Sequence, residues 1–220
     1  MNKISVIIPA LNEEKHIKEV IDVVKKCNLI HEIIVVDNNS TDKTNEIAKE
    51  AGAKTLFCKN IGKGHAMETG INNATGDIIV FIDGDICNYE DNFIAKIVKP
   101  IINKNIDFIK TAFAREGGRI TELVAKPLLE LLFPELKKFD QPLSGIIAGK
   151  KEVFEKITFE KDYGVDIGIL IDVYQANATI EQVNIGKIEN CCKDWKDLVG
   201  MAKAVSRTII NRYHNEKKHN

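Results

Sequence analysis

The sequence predicts an α/β protein in which a buried, mainly parallel sheet carries helices on its faces. Three observations support this prediction. Short apolar runs rich in β-branched residues alternate with amphipathic helical patterns, the links between them are short, and several runs end directly in polar or turn residues. Strands connected through helices pair in parallel with right-handed crossovers, so their carboxyl ends meet at one edge of the sheet. Open α/β sheets bind ligands at that edge, and we expect a site there.

The composition is that of an ordinary globular protein and narrows the possible function classes. Apolar residues make up 44% and charged residues 29% of the 220 residues, and a net charge of −1 gives no reason to expect nucleic acid as a partner. No stretch approaches the ~20 apolar residues of a membrane span. Residues 1–3 lead directly into the first strand, so we expect no signal peptide. Five scattered cysteines without metal-site spacing suit a reduced, cytoplasmic protein.

The first half of the chain predicts strands and helices in alternation, each justified by its apolar period. Residues 4–8 form a short β-branched run that we expect Pro9 to stop, and Asn12 is the expected cap of the first helix. That helix carries apolar residues at helical spacing, namely Ile17, Val20, Ile21 and Val24. Further strands are predicted at 32–36, 53–58 and 78–82, and further helices at about 41–51 and from about 64 to 74.

The second half is less regular, and its apolar residues predict three strands and three helices. The strands are expected at 106–113, within 139–149 and at 180–185, and the helices at 121–136, 163–174 and 195–213. The first of these helices carries more apolar residues between Leu128 and Phe133 than one face can hold, which predicts deep burial or a subunit contact, and hence a homodimer. We expect the polar tail at 214–220 to fray. No repeat or linker interrupts the chain, so the prediction is one domain spanning residues 1–220.

Polar or turn residues follow three of the predicted strands at the shared edge, namely Pro9, Asp37 and Asp83. Together they favour a nucleotide crevice over three separate solvated turns. Asp83 and Asp85 point the same way from an extended chain, so this Asp-x-Asp pair can hold a hard divalent cation that clamps a diphosphate, although acidic pairs also occur in plain solvated turns. Lys63, between two glycines, can reach a phosphate, although most lysines beside glycine are only exposed turn residues. The chain lacks the Walker loop of an ATPase and the G-x-G-x-x-G fingerprint of the usual nicotinamide enzyme.

Four segments of the first 90 residues, taken together, resemble the opening of glycosyltransferase family two and its relatives. They are SVIIPALNE at 5–13, IVVD at 34–37, GKG at 62–64 and IDGD at 82–85. The resemblance implies a GT-A (Rossmann-like) fold with a mixed, mainly parallel central sheet, in which residues 1–90 bind the nucleotide and residues 91–220 bind the acceptor. Three further segments, at 117–129, 142–149 and 163–172, resemble a narrower group, the glucosyl-3-phosphoglycerate synthases.

The resemblance implies roles for three groups of residues. Those around the nucleotide sugar would be Pro9, Leu11, Glu13, Asp37, Asn38, Lys63, Asp83 and Gly84. Those that hold the acceptor's phosphate or carboxylate would be Gly118, Arg119 and Thr121, because a guanidinium fork and a hydroxyl suit either group, although a solvated loop arginine is the alternative for Arg119. Asp166, where the family has glutamate, would orient hydroxyl groups or simply interact with a helix N-terminus. The carbonyl of Leu143, beside Ser144, would lie near the anomeric carbon.

The resemblance also implies a metal, Mg²⁺ or Mn²⁺, held by Asp85. The family's other ligand is a histidine, but this sequence has Asn190 at that position, and it has Cys192 where an acceptor-binding asparagine is expected. An amide oxygen can ligate either metal. Three possibilities stay open: Asn190 substitutes for the imidazole, a shifted alignment brings Glu189 to the metal, or the use of metal and acceptor has changed.

These implied roles lead to a functional hypothesis. The protein would transfer a hexose, with glucose expected, from a nucleotide-diphosphate sugar such as UDP-glucose to 3-phosphoglycerate or a similar small phosphorylated acid. The resembling group transfers with retention of configuration. Two alternatives are a family-two transferase acting on a polyprenyl phosphate or glycan, and a nucleotide-sugar-binding protein that has lost its chemistry. No membrane span or basic amphipathic helix supports a lipid acceptor.

Overall fold

The computed structural model describes residues 2–86, 88–114, 118–188 and 195–219, and within these ranges seven strands form one sheet. The strands are β1 (Ile4–Ala10), β2 (Ile30–Asp37), β3 (Lys54–Phe57), β4 (Ile78–Phe81), β5 (Phe108–Ala114), β6 (Ile147–Lys150) and β7 (Ile180–Lys187). The helices are α1 (Ile17–Lys25), α2 (Thr44–Glu50), α3 (Lys63–Asn73), α4 (Phe93–Lys104), α5 (Lys126–Leu132), α6 (Lys151–Phe154), α7 (Val165–Gln175) and α8 (Trp195–His219). A π-helical turn, Thr121–Ala125, and a 3₁₀ turn, Pro134–Lys138, flank α5.

The sheet is mixed but mainly parallel, as predicted, with the strand order β3-β2-β1-β4-β6-β5-β7. Among the described strands, β6 is the one that runs antiparallel to its neighbours, β4 and β5. Phe81, the last residue of β4, pairs with Ile147, the first residue of β6. The segment that leads into β6 therefore lies beside the residues that leave β4, at the edge where the parallel strands end.

Both faces of the sheet are buried, which explains the unbroken apolar runs of its strands. Successive residues of β1 alternate between two core clusters. Val6 and Ile8 belong to the cluster that includes α1 and α4, while Ile7 belongs to the cluster that includes α3 and α7. The helix α8 joins the second cluster through Val205 and Ile209. No helix within the described ranges is both long and apolar enough to cross a bilayer.

Pro9 does not stop the first strand, contrary to the prediction. β1 continues through Pro9 to Ala10 alongside β2. The Ile82 N–H donates to the Ile7 carbonyl on the side of β4, and the Asn38 N–H donates to the Ala10 carbonyl on the side of β2. Because backbone groups alternate in direction along a strand, the nitrogen of Pro9 faces the side where β4 has already ended. The N–H that proline lacks would have had no partner in the sheet, so no hydrogen bond between strands is lost.

Asn12 does not cap the first helix, so that prediction is also wrong. α1 begins at Ile17, and its N-cap residue, His16, makes no side-chain cap hydrogen bond. Asn12 instead adopts a left-handed conformation with a φ of 58°, which asparagine tolerates better than most residues. Its Oδ1 accepts a hydrogen bond from the Thr41 N–H at 2.8 Å, so Asn12 fastens the loop after β1 to the loop after β2.

The second half departs from the prediction in three places. α4 and α6 are absent from the prediction, and α4 contains Pro100, a residue that disfavours a helix interior. The helix predicted at 121–136 is divided, because Pro127 lies in the first turn of α5 and Phe133, with a φ of −139°, follows its end. Within the described residues the tail is not frayed: α8 continues to His219, and the rings of Tyr213 and Phe133 meet edge to face with centroids 6.0 Å apart.

Candidate active site

Three of the predicted site residues meet in an ion-paired cluster at the expected edge of the sheet. Lys63 begins α3, Asp83 lies two residues beyond β4, and Asp166 lies in the first turn of α7. The Lys63 Nζ is 2.8 Å from Asp83 Oδ1 and 2.9 Å from Asp166 Oδ2. The other carboxylate oxygen of Asp166, Oδ1, is buried without a hydrogen-bond partner among the described residues, so it is available to a ligand.

The Lys63 ammonium keeps its charge although its side chain is only 22% exposed. Burial alone would lower the pKa of Lys63, but the carboxylates of Asp166 and Asp83 outweigh that effect and raise the pKa above its ordinary value. A cation held at the carboxyl ends of parallel strands attracts anionic groups. Lys63 can thus contact a phosphate once a carboxylate releases it.

The turn that carries Lys63 depends on its glycines and on Asn38. Gly62 has a φ of 139°, in a region that glycine enters readily and other residues do not. A Cβ at Gly64 would lie 1.7 Å from the carbonyl oxygen of Glu160, so α3 begins in direct contact with the chain that leads to α7. Asn38 is buried, and its Oδ1 accepts a hydrogen bond from the Gly62 N–H at 2.7 Å. Asn38 therefore holds the turn in place.

Other residues predicted for the nucleotide lie at the ends of β1, β2 and β4. Asp37 ends β2 and is buried, with its Oδ1 accepting a hydrogen bond from a backbone N–H of the following loop at 3.1 Å. A Cβ added to Gly84 would lie 3.5 Å from both the Pro9 carbonyl oxygen and the Glu13 Cγ, so these three residues are neighbours. Leu11 follows β1 and is 43% exposed. The structure thus brings these predicted residues to one edge.

The segment before β6 is held by internal hydrogen bonds. Ser144 is buried, its Oγ is 2.8 Å from Thr111 Oγ1, and it accepts the Ile146 N–H at 3.1 Å. Because the Ser144 hydroxyl is engaged in these hydrogen bonds, it stabilises the conformation of the segment and is not placed as a nucleophile. A Cβ at Gly145 would lie 2.3 Å from Lys63 Nζ, so the segment passes directly against the ion-paired cluster.

One residue of the site, Lys110, belongs to no motif of the sequence. It lies in the middle of β5 and is fully buried. Its Nζ donates to the Ser144 carbonyl at 2.8 Å and to the Asp166 backbone carbonyl at 3.4 Å. Its signal in the sequence is a single lysine inside the apolar run at 106–113, because lysine is almost never fully buried unless it is paired.

The residues predicted for the acceptor follow β5. The carboxyl end of β5 lies at the same edge as that of β4, because both strands run antiparallel to β6. Gly118 has a φ of 80°, the Arg119 side chain is exposed, and Thr121 is buried where the π-helical turn begins. Residues 115–117 of the predicted polar loop lie outside the described residues. The acceptor role of these side chains stays a prediction.

The chemistry of Asp85 fits a divalent cation. Carboxylate oxygens are hard ligands, and Mg²⁺ commonly binds one or two carboxylates together with substrate phosphates. Asp83 is engaged by Lys63, and the metal-binding role of Asp85 stays a prediction. Asn190, like the rest of residues 189–194, lies outside the described residues. Within the described ranges, no group of three or more His, Cys, Asp or Glu residues could hold a metal.

The chain is similar in sequence to known proteins over nearly its whole length. The model of glycosyl transferase family 2 matches residues 5–161. The glucosyl-3-phosphoglycerate synthases of Petrotoga mobilis and Mycolicibacterium smegmatis are 37% and 35% identical to it, over 96% and 95% of this chain and 73% and 77% of theirs. A dolichol-phosphate mannosyltransferase of Pyrococcus furiosus is 29% identical over 70% of this chain and 48% of its own.

The chain is also similar to solved structures. The crystal structure of the glucosyl-3-phosphoglycerate synthase from Mycobacterium tuberculosis in complex with Mn²⁺, UDP-glucose and phosphoglyceric acid has a TM-score of 0.92 at 37% identity, and covers 97% of this chain and 80% of that chain. The structure of the same enzyme with Mn²⁺, UDP-glucose and glycerol 3-phosphate has a TM-score of 0.91. The predicted GT-A fold is confirmed.

Proposed function

Because the chain belongs to glycosyl transferase family 2, in the group of the glucosyl-3-phosphoglycerate synthases, we propose that this glycosyltransferase moves glucose from UDP-glucose to 3-phosphoglycerate. The observation that carries the proposal is the cluster of Lys63, Asp83 and Asp166, which lies at the sheet edge of a chain that superposes on a synthase holding UDP-glucose and phosphoglyceric acid. Mg²⁺ or Mn²⁺ is the proposed cofactor, since the synthase of Mycobacterium tuberculosis binds either ion together with UDP.

In the proposed mechanism, the donor binds at the ends of β2 and β4. Asp37 lies beside the nucleotide, and Asp83 contacts the nucleotide on its ribose side. Lys63 exchanges one of its carboxylate partners for a phosphate of the donor, which a charged ammonium binds well. Asp85, with Asn190, would hold the divalent cation. When bound, that cation neutralises charge on the diphosphate leaving group.

The acceptor half of the proposed mechanism uses the segments after β5 and before β6. Arg119 and Thr121 bind the phosphate or carboxylate of the acceptor through charge-assisted and hydroxyl hydrogen bonds. The unpartnered Oδ1 of Asp166 accepts a hydroxyl of the sugar or of the acceptor. Departure of the diphosphate leaves an oxocarbenium-like sugar near the Leu143 carbonyl. The acceptor hydroxyl oxygen then bonds to the anomeric carbon from the face that the diphosphate left, and its proton passes to the departing diphosphate, so the configuration is retained.

UDP release from UDP-glucose tests this function. We expect release to require both 3-phosphoglycerate and Mg²⁺ or Mn²⁺, and to stop when a chelator is added. Asp85→Asn should lower kcat by about 10²-fold or more, because a negatively charged ligand of the proposed cation is lost. Transfer to a polyprenyl phosphate or glycan, but not to 3-phosphoglycerate, would contradict the proposed acceptor. Binding of UDP-glucose without any release would show that the chemistry has been lost.

Gly145→Ala tests whether the placement of Lys63 and Asp83 matters for transfer. The added Cβ would lie 2.3 Å from Lys63 Nζ and 2.5 Å from Asp83 Oδ1, so the ends of both side chains must shift. We expect kcat/KM to fall by about 10- to 100-fold, the scale of a displaced catalytic group. The melting temperature should change little, because both contacted atoms are the ends of flexible side chains.

Gly200→Ala is the matched control for this variant. Gly200 lies in α8, and an added Cβ would have no atom within 4 Å. The control should keep full activity and gain up to about 1 kcal/mol of stability, because alanine is the better helix former. Equal activity of the two variants would show that transfer does not depend on the placement of Lys63 and Asp83.

We also propose that the protein is a cytoplasmic homodimer. Leu123 and Leu131 are 70% and 76% exposed, whereas Leu129 of the same segment is buried. Exposed leucines beside a buried one suit contact with a second copy of the chain. Cys27 and Cys58 are free, buried thiols, in keeping with a reducing compartment.

A further inference from the structure

Lys110 occupies a place in the core that an apolar side chain would fill at lower cost. It is 0% exposed, and in the sheet it lies between Ile147 of β6 and Gln182 of β7. Burying an ammonium costs free energy that methionine or leucine would not incur. A residue that breaks such a rule without a packing gain is expected at a functional site.

The ammonium of Lys110 joins two backbone segments beneath the ion-paired cluster. Its Nζ donates to the Ser144 carbonyl at 2.8 Å and to the Asp166 carbonyl at 3.4 Å. Ser144 immediately precedes the glycine that passes against Lys63 and Asp83. Asp166 carries the carboxylate that Lys63 contacts at 2.9 Å. Lys110 thus links the segment before β6 to the first turn of α7.

The charges that face Lys110 come from three separate elements. They are the carboxylates of Asp166 and Asp83 and the ammonium of Lys63, while the paired residues of the adjacent strands are uncharged. Burial lowers the pKa of Lys110 to about 7, with Asp166 and Asp83 opposing the shift and Lys63 adding to it. When Lys63 turns to a phosphate, its ammonium leaves Asp166. Among the described lysines, Lys110 is then the one that still faces Asp166.

We propose that Lys110 is a positioning residue for the transfer reaction. It holds the Ser144 carbonyl and the backbone of Asp166 at a set separation. The Asp166 carboxylate therefore stays directed at the sugar and acceptor while Lys63 moves to the diphosphate. This inference rests on the proposed function, because it assigns Lys110 a part in the same transfer.

Lys110→Met tests the inference, because it keeps the length of the side chain but removes its charge and its donors. We expect kcat to fall by about 10- to 100-fold, while the KM for UDP-glucose changes by less than about 3-fold, since a misplaced group affects the reaction more than donor binding. The melting temperature should equal or exceed that of the wild type. A lysine kept only for stability would give the opposite result.

The pH dependence of the melting temperature adds a second readout. The pKa of Lys110 is about 7 in the folded protein, below its ordinary value of 10.5, so between these values folding releases a proton and the wild type gains stability as the pH rises. Below pH 7 the wild type carries the full cost of the buried charge. The advantage of Lys110→Met in melting temperature should therefore be largest below pH 7 and shrink towards pH 10.

Lys151→Met is the matched control. Lys151 also donates to a backbone carbonyl, that of Ala74 at 2.9 Å, but it lies just beyond the end of β6 remote from the site. The control should keep the wild-type kcat. The role of Lys110 is refuted if Lys110→Met keeps a kcat within about 3-fold of the wild type, or if its activity falls only in step with loss of folded protein. Inactive wild-type enzyme would instead refute the proposed function itself.

Discussion

Lys63→Met is expected to lower kcat/KM for transfer by about 10³-fold or more, because it removes the charge that we propose faces the donor diphosphate. The lost ammonium lies 2.8 Å from Asp83 and 2.9 Å from Asp166, so the variant leaves two carboxylates facing an anionic substrate. The free energy of unfolding should fall by roughly 1–3 kcal/mol, less than for a fully buried pair, since the Asp83 side chain is 26% exposed. Steady-state kinetics with UDP-glucose and urea unfolding measure the two effects.

Lys150 offers a matched control for Lys63. It forms an ion pair of 2.7 Å with Asp107 in which the side chains are 24% and 26% exposed, close to the 22% and 26% of Lys63 and Asp83. The pair lies at the other end of β6 from the site. Lys150→Met should lose some stability and keep its activity. If both variants lost activity equally, destabilisation rather than the missing charge would explain the loss.

Gly64→Ala is expected to cause the largest loss of stability among these variants, about 3 kcal/mol. The added Cβ would lie 1.7 Å from the Glu160 carbonyl oxygen and 2.8 Å from its carbon, so backbone must move rather than a flexible side chain. Lys63 immediately precedes this glycine, and its displacement should also lower kcat/KM. Urea unfolding and kinetics of the same sample test both effects.

Gly168→Ala provides the comparison for Gly64→Ala. Gly168 is also a buried helical glycine, but the atoms nearest to an added Cβ are 3.4 Å away, an ordinary contact distance. The variant should be neutral or gain up to about 1 kcal/mol, because alanine has the higher helix propensity. Similar destabilisation of both variants would contradict the close approach of α3 to the chain before α7 as the cause.

The parallel half of the sheet and its polar edge could be predicted from sequence alone. The apolar runs of β1, β2 and β4 are long enough to be buried on both faces, and polar residues follow them. Strands joined through helices pair in parallel, so the local pattern already determines which strand ends meet. The structure accordingly places Asp37 and Asp83 at one edge.

Several local features could not be predicted, because neighbours from elsewhere in the chain decide them. Pro9 continues β1 since β4 has already ended beside it, a fact absent from the sequence around Pro9. Asn12 does not cap α1, and its side chain instead accepts a hydrogen bond from Thr41, 29 residues away. α4 forms despite Pro100, because Ile97 and Ile101 beside it are buried in the core.

By itself, the sequence determined the fold class, the family and the kinds of residues at the sheet edge, because these follow from local periodicity and from motifs of contiguous residues. Only the tertiary structure decided that Lys63, Asp83 and Asp166 form one cluster, that Asn38 holds the turn of Lys63, and that Lys110 lies beneath them. These contacts join residues up to 103 positions apart. Their strength depends on burial and on charges from other segments, and no single stretch of sequence contains that information.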